Sequence, residues 1–133
     1  RRSRLRSSGR YLQAVAQMQA AARRIVATMS QFDVVVMPIF MHQTIRVGEW
    51  ANLRPATTLN KIIHWVAPCP PINATGQPSI AIPTGFSPLG LPVGVQLVGR
   101  PAGEELLISL AAQIEQAKPW EHYRPLIAAD TSS

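Results

Sequence analysis

The spacing of apolar side chains predicts one long helix near the start of the chain. Between residues 11 and 29 apolar positions recur at intervals of three and four, and glutamine, arginine and threonine gather on the opposite face. The apolar positions are Leu12, Val15, Met18, Ala22, Ile25 and Met29. Ser7 or Ser8 can cap the start of this helix, because a hydroxyl accepts a hydrogen bond from a free backbone N–H.

The hydrophobic period changes abruptly after this helix. Residues 32–38 are mostly apolar, are rich in valine and end at Pro38. A short continuous apolar run of this kind is typical of a central strand that is covered on both faces. A helix that leads directly into such a strand is typical of a layered α/β protein.

Two further strands and a closing helix are predicted in the second half of the chain. Residues 79–82 form one short apolar run between prolines, and residues 93–98 form another, with turn-forming residues at 87–92 between them. These two strands should be antiparallel neighbours. Residues 103–117 follow as a helix with an acidic start, and Pro119 ends it. The predicted fold is therefore α/β, with a partial mixed β-sheet flanked by helices.

The stretch from 39 to 78 does not fit this simple pattern. It contains one weak helical candidate, at 57–65, and is too long for a structureless loop in a compact domain. It also carries large apolar side chains that are rarely left together in an open coil: Phe40, Met41, Trp50, Ile62, Ile63 and Trp65. Either it folds in a way that the pattern does not reveal, or it packs against polypeptide outside this chain. We favour the second explanation.

Composition limits the broad class of the protein. The chain has 133 residues, of which 47% are apolar and 15% charged, and this is typical of one globular domain. No apolar run is long enough for a membrane-spanning helix, so we expect no membrane partner. The single cysteine, Cys69, excludes an intrachain disulfide and fits a cytoplasmic location.

The net charge of +6 is concentrated at the start of the chain. Five of the thirteen cationic residues lie within the first ten, and the remainder has eight cationic and seven anionic residues. We therefore divide the chain into a basic arm, 1–10, and a single domain, 11–133. Because no aromatic residues interleave with these arginines, we interpret the arm as a solvated terminus and expect no nucleic-acid partner.

Candidate catalytic and metal-binding groups are few. His42, His64 and His122 are far apart in the sequence, and no glycine-rich loop opens a helix, so neither a metal site nor a cofactor is predicted. Cys69 lies in a proline-rich segment that we interpret as extended, and its thiol is expected to be structural. Ser87 is expected to be a turn residue. No residue of this chain is assigned a catalytic role.

One polar segment stands out as a candidate binding site. Asn73, Thr75 and Gln77 can form hydrogen bonds, and Gly76 allows close approach of the backbone, directly before a predicted strand. One interpretation is a turn that leads into the strand, with Asn73 bonded to nearby backbone. The other is a loop that lines a substrate cleft.

Longer stretches of the sequence resemble a known family. Residues 73–83, NATGQPSIAIP, and 90–101, GLPVGVQLVGRP, are similar to the late segment of the amidase signature hydrolases. Residues 32–38 resemble the strand that precedes this segment, although Met37 stands where relatives often carry threonine. The resemblance covers roughly residues 10–125.

The resemblance implies an activity whose machinery lies elsewhere. Members of this family cleave carbon–nitrogen bonds of amides with a serine, a bridging serine next to a cis peptide, and a lysine, all in an earlier glycine- and serine-rich region. This chain contains no such region, and it begins at Arg1. The resemblance therefore implies the C-terminal portion of a longer amidase, whose partner is its own N-terminal portion and whose substrate is a small amide.

Within such an amidase, the resemblance implies that this portion completes the sheet. Asn73, Thr75, Gly76 and Gln77 would contribute to the substrate cleft. The particular amide stays open, and a homo-oligomer is compatible with this interpretation. The alternative is a degenerate, non-catalytic amidase-like module that serves interaction or dimerisation, since removing much of a core exposes apolar surface.

Overall fold

The computed structural model describes residues 7–120 as a three-stranded sheet with four helices. The helices are α1 (Ser8–Met29), α2 (Pro55–Trp65), α3 (Cys69–Thr75) and α4 (Glu104–Ala117). The strands are β1 (Val34–Pro38), β2 (Ser79–Phe86) and β3 (Pro92–Gly99). None of the helices in the described part of the chain has the length and apolar character that crossing a membrane requires.

Helix α1 confirms the predicted long helix and its cap. Its first turn is closed by the Ser7 hydroxyl, which accepts a hydrogen bond from the backbone N–H of Arg10 at 3.4 Å. Because α1 begins at Ser8, the last three residues of the proposed arm 1–10 are helical, and residues 1–6 lie outside the described part. The helix packs against α3 and buries Ala22.

Strand β3 lies at the centre of the described sheet. It pairs antiparallel with β1 on one side and with β2 on the other, and Val98 is 1% exposed. The prediction that residues 32–38 form the central strand is wrong within these residues, because β1 lies at an edge and Val36 is 64% exposed. Valine favours strands at the edge of a sheet as well as in its centre, so the composition of this run does not determine its place in the sheet. Both pairings described here are antiparallel, so the parallel component of a mixed sheet is not seen in this part.

The hydrophobic core forms where α4 packs on one face of the sheet. Leu107 and Ala111 of α4 are buried against Ile82 and Leu97, and Trp120 packs against the same cluster. These contacts confirm the predicted closing helix. Residues 121–133 lie outside the described residues.

The stretch from 39 to 78 contains two helices where the sequence predicted one. Helix α2 confirms the weak candidate and begins at Pro55, whereas α3 carries Pro70 and Pro71 in its first turn. The prediction of an extended proline-rich segment is therefore wrong. Proline is tolerated in the first turn of a helix, because the N–H groups there have no intrahelical partner.

The hairpin between β2 and β3 confirms the turn role of Ser87. Its backbone N–H donates to the Leu91 carbonyl at 2.8 Å. Its hydroxyl accepts hydrogen bonds from the N–H groups of Leu89 and Leu91, both at 3.3 Å. The side chain thus satisfies the backbone of the reversal and carries no separate chemistry here.

Candidate functional site

An open groove lies at one end of the sheet, where β1 ends and the β2–β3 hairpin begins. It has a volume of about 690 Å³ and is lined by residues 38–40, 42–44, 81–83 and 91–94. Small-molecule sites in proteins commonly have volumes of about 300–1,000 Å³. This space, called the groove below, is therefore large enough for a small organic ligand.

The floor of the groove includes two small residues on neighbouring strands, Ala81 and Gly94. Ala81 of β2 is exposed, and Gly94 of β3 pairs with Pro83. A Cβ atom at Gly94 would lie 2.9 Å from the Ile82 carbonyl oxygen and 3.2 Å from Cδ1 of Ile39. Glycine at this position therefore lets the Ile39 side chain pack closely on the strand.

One wall of the groove is held by four aromatic rings, called the aromatic cluster below. Trp65 stacks on Phe40 and His42 with ring centroids 4.8 and 5.7 Å apart, and Trp50 meets it edge-on at 5.9 Å. The Trp65 indole N–H donates to the His42 carbonyl at 3.1 Å, and the Met41 N–H donates to the Trp65 carbonyl at 2.9 Å. These contacts fix the segment after β1 against α2.

A further contact attaches the same wall to α3. The Cys69 thiol donates to the Ile39 carbonyl at 3.4 Å, in agreement with the structural role predicted for this cysteine. The groove lining contains no residue with a formal charge among those described; its polar side chains are His42, Gln43 and Thr44. Such a surface can hold a neutral, largely apolar molecule by contact.

The segment predicted as a binding site lies at the opposite end of the sheet. Thr75 donates its hydroxyl to the Ile72 carbonyl at 2.8 Å and accepts from the Gln77 N–H at 3.3 Å. Gly76 ends α3 in the left-handed conformation with φ of 68°. These bonds match the interpretation of the segment as a turn that leads into β2.

The side chains of Gln77 and Asn73 differ in their surroundings. Gln77 is 8% exposed, and its Nε2 donates to the Gly99 carbonyl at 2.8 Å, which ties the segment to the far end of β3. Asn73 is exposed, and its side chain has no hydrogen bond within the described residues. None of the four predicted residues lines the groove, and their role in substrate binding stays a prediction.

Comparison with known proteins decides the family. The family model described as Amidase matches residues 1–108, most of the chain. The chain belongs to the amidase family.

Related amidase sequences are much longer than this chain. A protein from Synechocystis sp. assigned as an amidase is 48% identical over 110 residues, which cover 83% of this chain and 22% of that protein. The assigned amidase AmiB2 of Mycobacterium tuberculosis is 41% identical over 105 residues, covering 79% of this chain and 23% of that protein. The aligned part of the chain thus spans less than a quarter of the length of each of these curated relatives.

Solved structures agree with the sequence comparison. A 6-aminohexanoate cyclic dimer hydrolase superposes with a TM-score of 0.80 at 30% identity, covering 90% of this chain and 26% of that one. One subunit of the glutamyl-tRNA(Gln) amidotransferase of Thermotoga maritima superposes with a TM-score of 0.64 at 28% identity, covering 83% and 23%. The prediction of a partial α/β fold resembling the C-terminal part of the amidase signature fold is confirmed.

Serine–lysine pairs do not occur in the described part of this amidase-family chain. Lys118 donates its ammonium group to the Thr84 carbonyl at 2.6 Å, and the ammonium group of Lys61 lies 5.6 Å from the ring centre of Trp50. Neither lysine is hydrogen-bonded to a serine among residues 7–120. No group of three or more histidine, cysteine or acidic residues that could hold a metal gathers there either, and His122 lies outside this range.

Sequence patterns did not reveal the groove. Phe40 and His42 line its wall and stack on Trp65, which lies 23 residues further along the chain than His42, so no local period joins the three. The one available signal was Gly94, since glycine inside a strand often marks a close approach of another group.

Proposed function

We propose that this chain is part of an amidase that hydrolyses the carbon–nitrogen bond of amides. The match of the family model to residues 1–108 carries this proposal, and the likeness to a 6-aminohexanoate cyclic dimer hydrolase with a TM-score of 0.80 supports it. In this proposal the described residues complete the sheet of a longer domain. The nucleophilic serine, the bridging serine and the lysine belong to polypeptide outside the 133 residues.

The reaction that the family resemblance implies needs no cofactor. A neutral lysine takes the proton of the nucleophilic serine through the bridging hydroxyl, and the serine oxygen adds to the amide carbonyl. Backbone N–H groups stabilise the tetrahedral oxyanion. The carbon–nitrogen bond then breaks, the amine leaves with a proton, and water hydrolyses the acyl-enzyme to the acid. In this proposal the residues of the present chain shape the substrate cleft.

The predicted contribution of residues 73–77 to the substrate cleft is retained as a proposal separate from the groove, because this segment lies at the opposite end of the sheet. Asn73 is the member of the set best placed for it, because its side chain is exposed. Thr75, Gly76 and Gln77 are occupied by local bonds or by the end of α3. If Asn73 contacts substrate, Asn73→Ala should raise KM with little change in the melting temperature; an unchanged KM would remove it from the cleft.

The substrate and location follow from the same proposal. The substrate is a small amide, the partner is the remainder of the same amidase, and nucleic acid is not expected to bind. The cytoplasm is proposed as the compartment because the chain's single cysteine is a free thiol.

The experiment that tests the proposal is active-site labelling of the full-length gene product. The protein is treated with a fluorophosphonate reagent, which reacts with activated serines, and hydrolysis of acetamide and hexanamide is followed by ammonia release. We expect turnover to stop and the labelled peptide to map outside residues 1–133. Labelling within these residues, or turnover that the reagent leaves intact, would contradict the assignment.

A non-catalytic interaction module is the second candidate. Helix α2 exposes an apolar stripe of Leu59, Ile62 and Ile63, which supports association as much as it supports burial in a larger domain. A full-length product that dimerises through these residues and hydrolyses no amide would favour this alternative.

A further inference from the structure

We propose that the groove binds the uncharged hydrocarbon portion of the amide substrate and sets how large that portion can be. This inference rests on the proposed amidase function and assigns a specificity role to residues that the sequence analysis did not select. The ligand class follows from the lining, its shape and the way its wall is held.

The lining determines the chemistry of the ligand. The lining includes three prolines, Ile39, Phe40 and Leu91, and it has no aspartate, glutamate, lysine or arginine among the described residues. An ionised ligand group would lose its hydration there without gaining a partner, which costs free energy. For a neutral hydrocarbon chain or ring, each contact with this lining buries apolar surface and so favours the free energy of binding.

The wall is held in place before any ligand arrives. Phe40 and His42 face the groove and also stack on Trp65, while hydrogen bonds from Trp65 and Cys69 fix the carbonyls of His42 and Ile39. A wall held by stacking and by hydrogen bonds loses little conformational freedom on binding.

The floor determines the size of ligand that fits. Ala81 is the exposed small side chain on β2, and it lies beside the space lined by Gly94. A larger residue at position 81 would project from the sheet into the groove. Because the Ala81 side chain is itself exposed among the described residues, this substitution removes ligand space without overpacking the core.

The test uses Ala81→Val and Ala81→Leu in the full-length gene product, with Ala112→Leu on the exposed side of α4 as the control. Each protein is assayed with acetamide, hexanamide and N-hexylacetamide, so that the acyl and amine sides are probed separately. We expect kcat/KM for at least one of the two longer amides, hexanamide or N-hexylacetamide, to fall in the order wild type, valine, leucine, by roughly tenfold for leucine. Acetamide turnover and the control should change less than about twofold.

Several outcomes would overturn the proposal. Equal losses for all three amides would show that position 81 packs against the rest of the protein, and unchanged selectivity would show that the groove holds no substrate. If Ala81→Leu does not fold, Ala81→Val decides, since a β-branched residue suits a strand.

The groove can be judged separately from the amidase function. If the gene product hydrolyses none of these amides, the proposed function fails, and calorimetric titration with hexanamide then tests the groove alone. Binding that Ala81→Leu weakens by roughly tenfold would support the groove. No binding to the wild type, or equal binding to both proteins, would refute it.

Discussion

Two buried glutamines show how much the surroundings of a single side chain matter. Gln77 and Gln96 are 8% and 9% exposed, and in each the Oε1 atom has no partner among the described residues. Only Gln77 uses its amide nitrogen, which donates to the Gly99 carbonyl and joins the start of β2 to the end of β3. A buried amide that makes such a bond stabilises the fold, whereas one that does not is costly.

The same substitution at these two positions should therefore have different effects. Gln77→Leu removes the bond to Gly99 and leaves that carbonyl with one acceptor site unused, so we expect a loss of about 1–2 kcal/mol in the free energy of unfolding. Gln96→Leu removes an unpaired oxygen, so the free energy of unfolding of this variant should stay within about 1 kcal/mol of the wild-type value. Urea denaturation followed by circular dichroism measures both values. A larger loss for Gln96→Leu would show that its amide has a donor that residues 7–120 do not supply.

At the scale of the helices and strands, the sequence predicted what local periodicity encodes. Helices α1 and α4 were found because their apolar residues recur every three or four positions. A capping serine marks the start of α1, and an acidic first turn and a following proline mark the ends of α4. Helix α3 was missed because its seven residues include two prolines in the first turn and show no repeat. The edge position of β1 was also missed, since strand order depends on pairing between distant segments, which one strand's composition does not reveal.

Helix α3 depends on the residue at which it ends. Gly76 has φ of 68°, and its missing Cβ would meet no atom within 4 Å, so any cost of substitution comes from the backbone. We expect Gly76→Ala to lower the free energy of unfolding by about 1 kcal/mol. Gly76→Asn is the matched variant and should lose less, because asparagine tolerates the left-handed conformation better. Thermal unfolding compares them; equal losses would mean that space, and not backbone conformation, is limiting at this position.

At the scale of the whole molecule, the described fold buries only some of the large apolar side chains and leaves others exposed. Helix α4 covers one face of the sheet, while Leu59 and Ile63 on α2 remain 58% and 55% exposed. The chain covers 22% and 23% of two longer relatives. These observations agree with the favoured explanation that the stretch from 39 to 78 packs against further polypeptide, and the aromatic cluster shows that part of this stretch also packs on itself.

The exposed stripe of α2 should make the isolated 133-residue chain associate. Ile63→Lys places a charge in the stripe, whereas Asn60→Lys places the same charge at an exposed polar position of the same helix. We expect sedimentation velocity to show concentration-dependent association of the unaltered chain and of Asn60→Lys, and much weaker association of Ile63→Lys. A concentration-independent monomer in all three would contradict the idea that this face is built for burial.

The catalytic residues are proposed to lie outside these 133 residues, and amide hydrolysis measures this most directly. The isolated chain and the full-length gene product are assayed side by side with hexanamide at equal molar concentration, and ammonia release is recorded. The expected result is turnover by the full-length product and none above background by the chain. Hydrolysis by the isolated chain at a comparable rate would contradict the proposal, because its chemistry would then belong to residues described here as scaffold and groove.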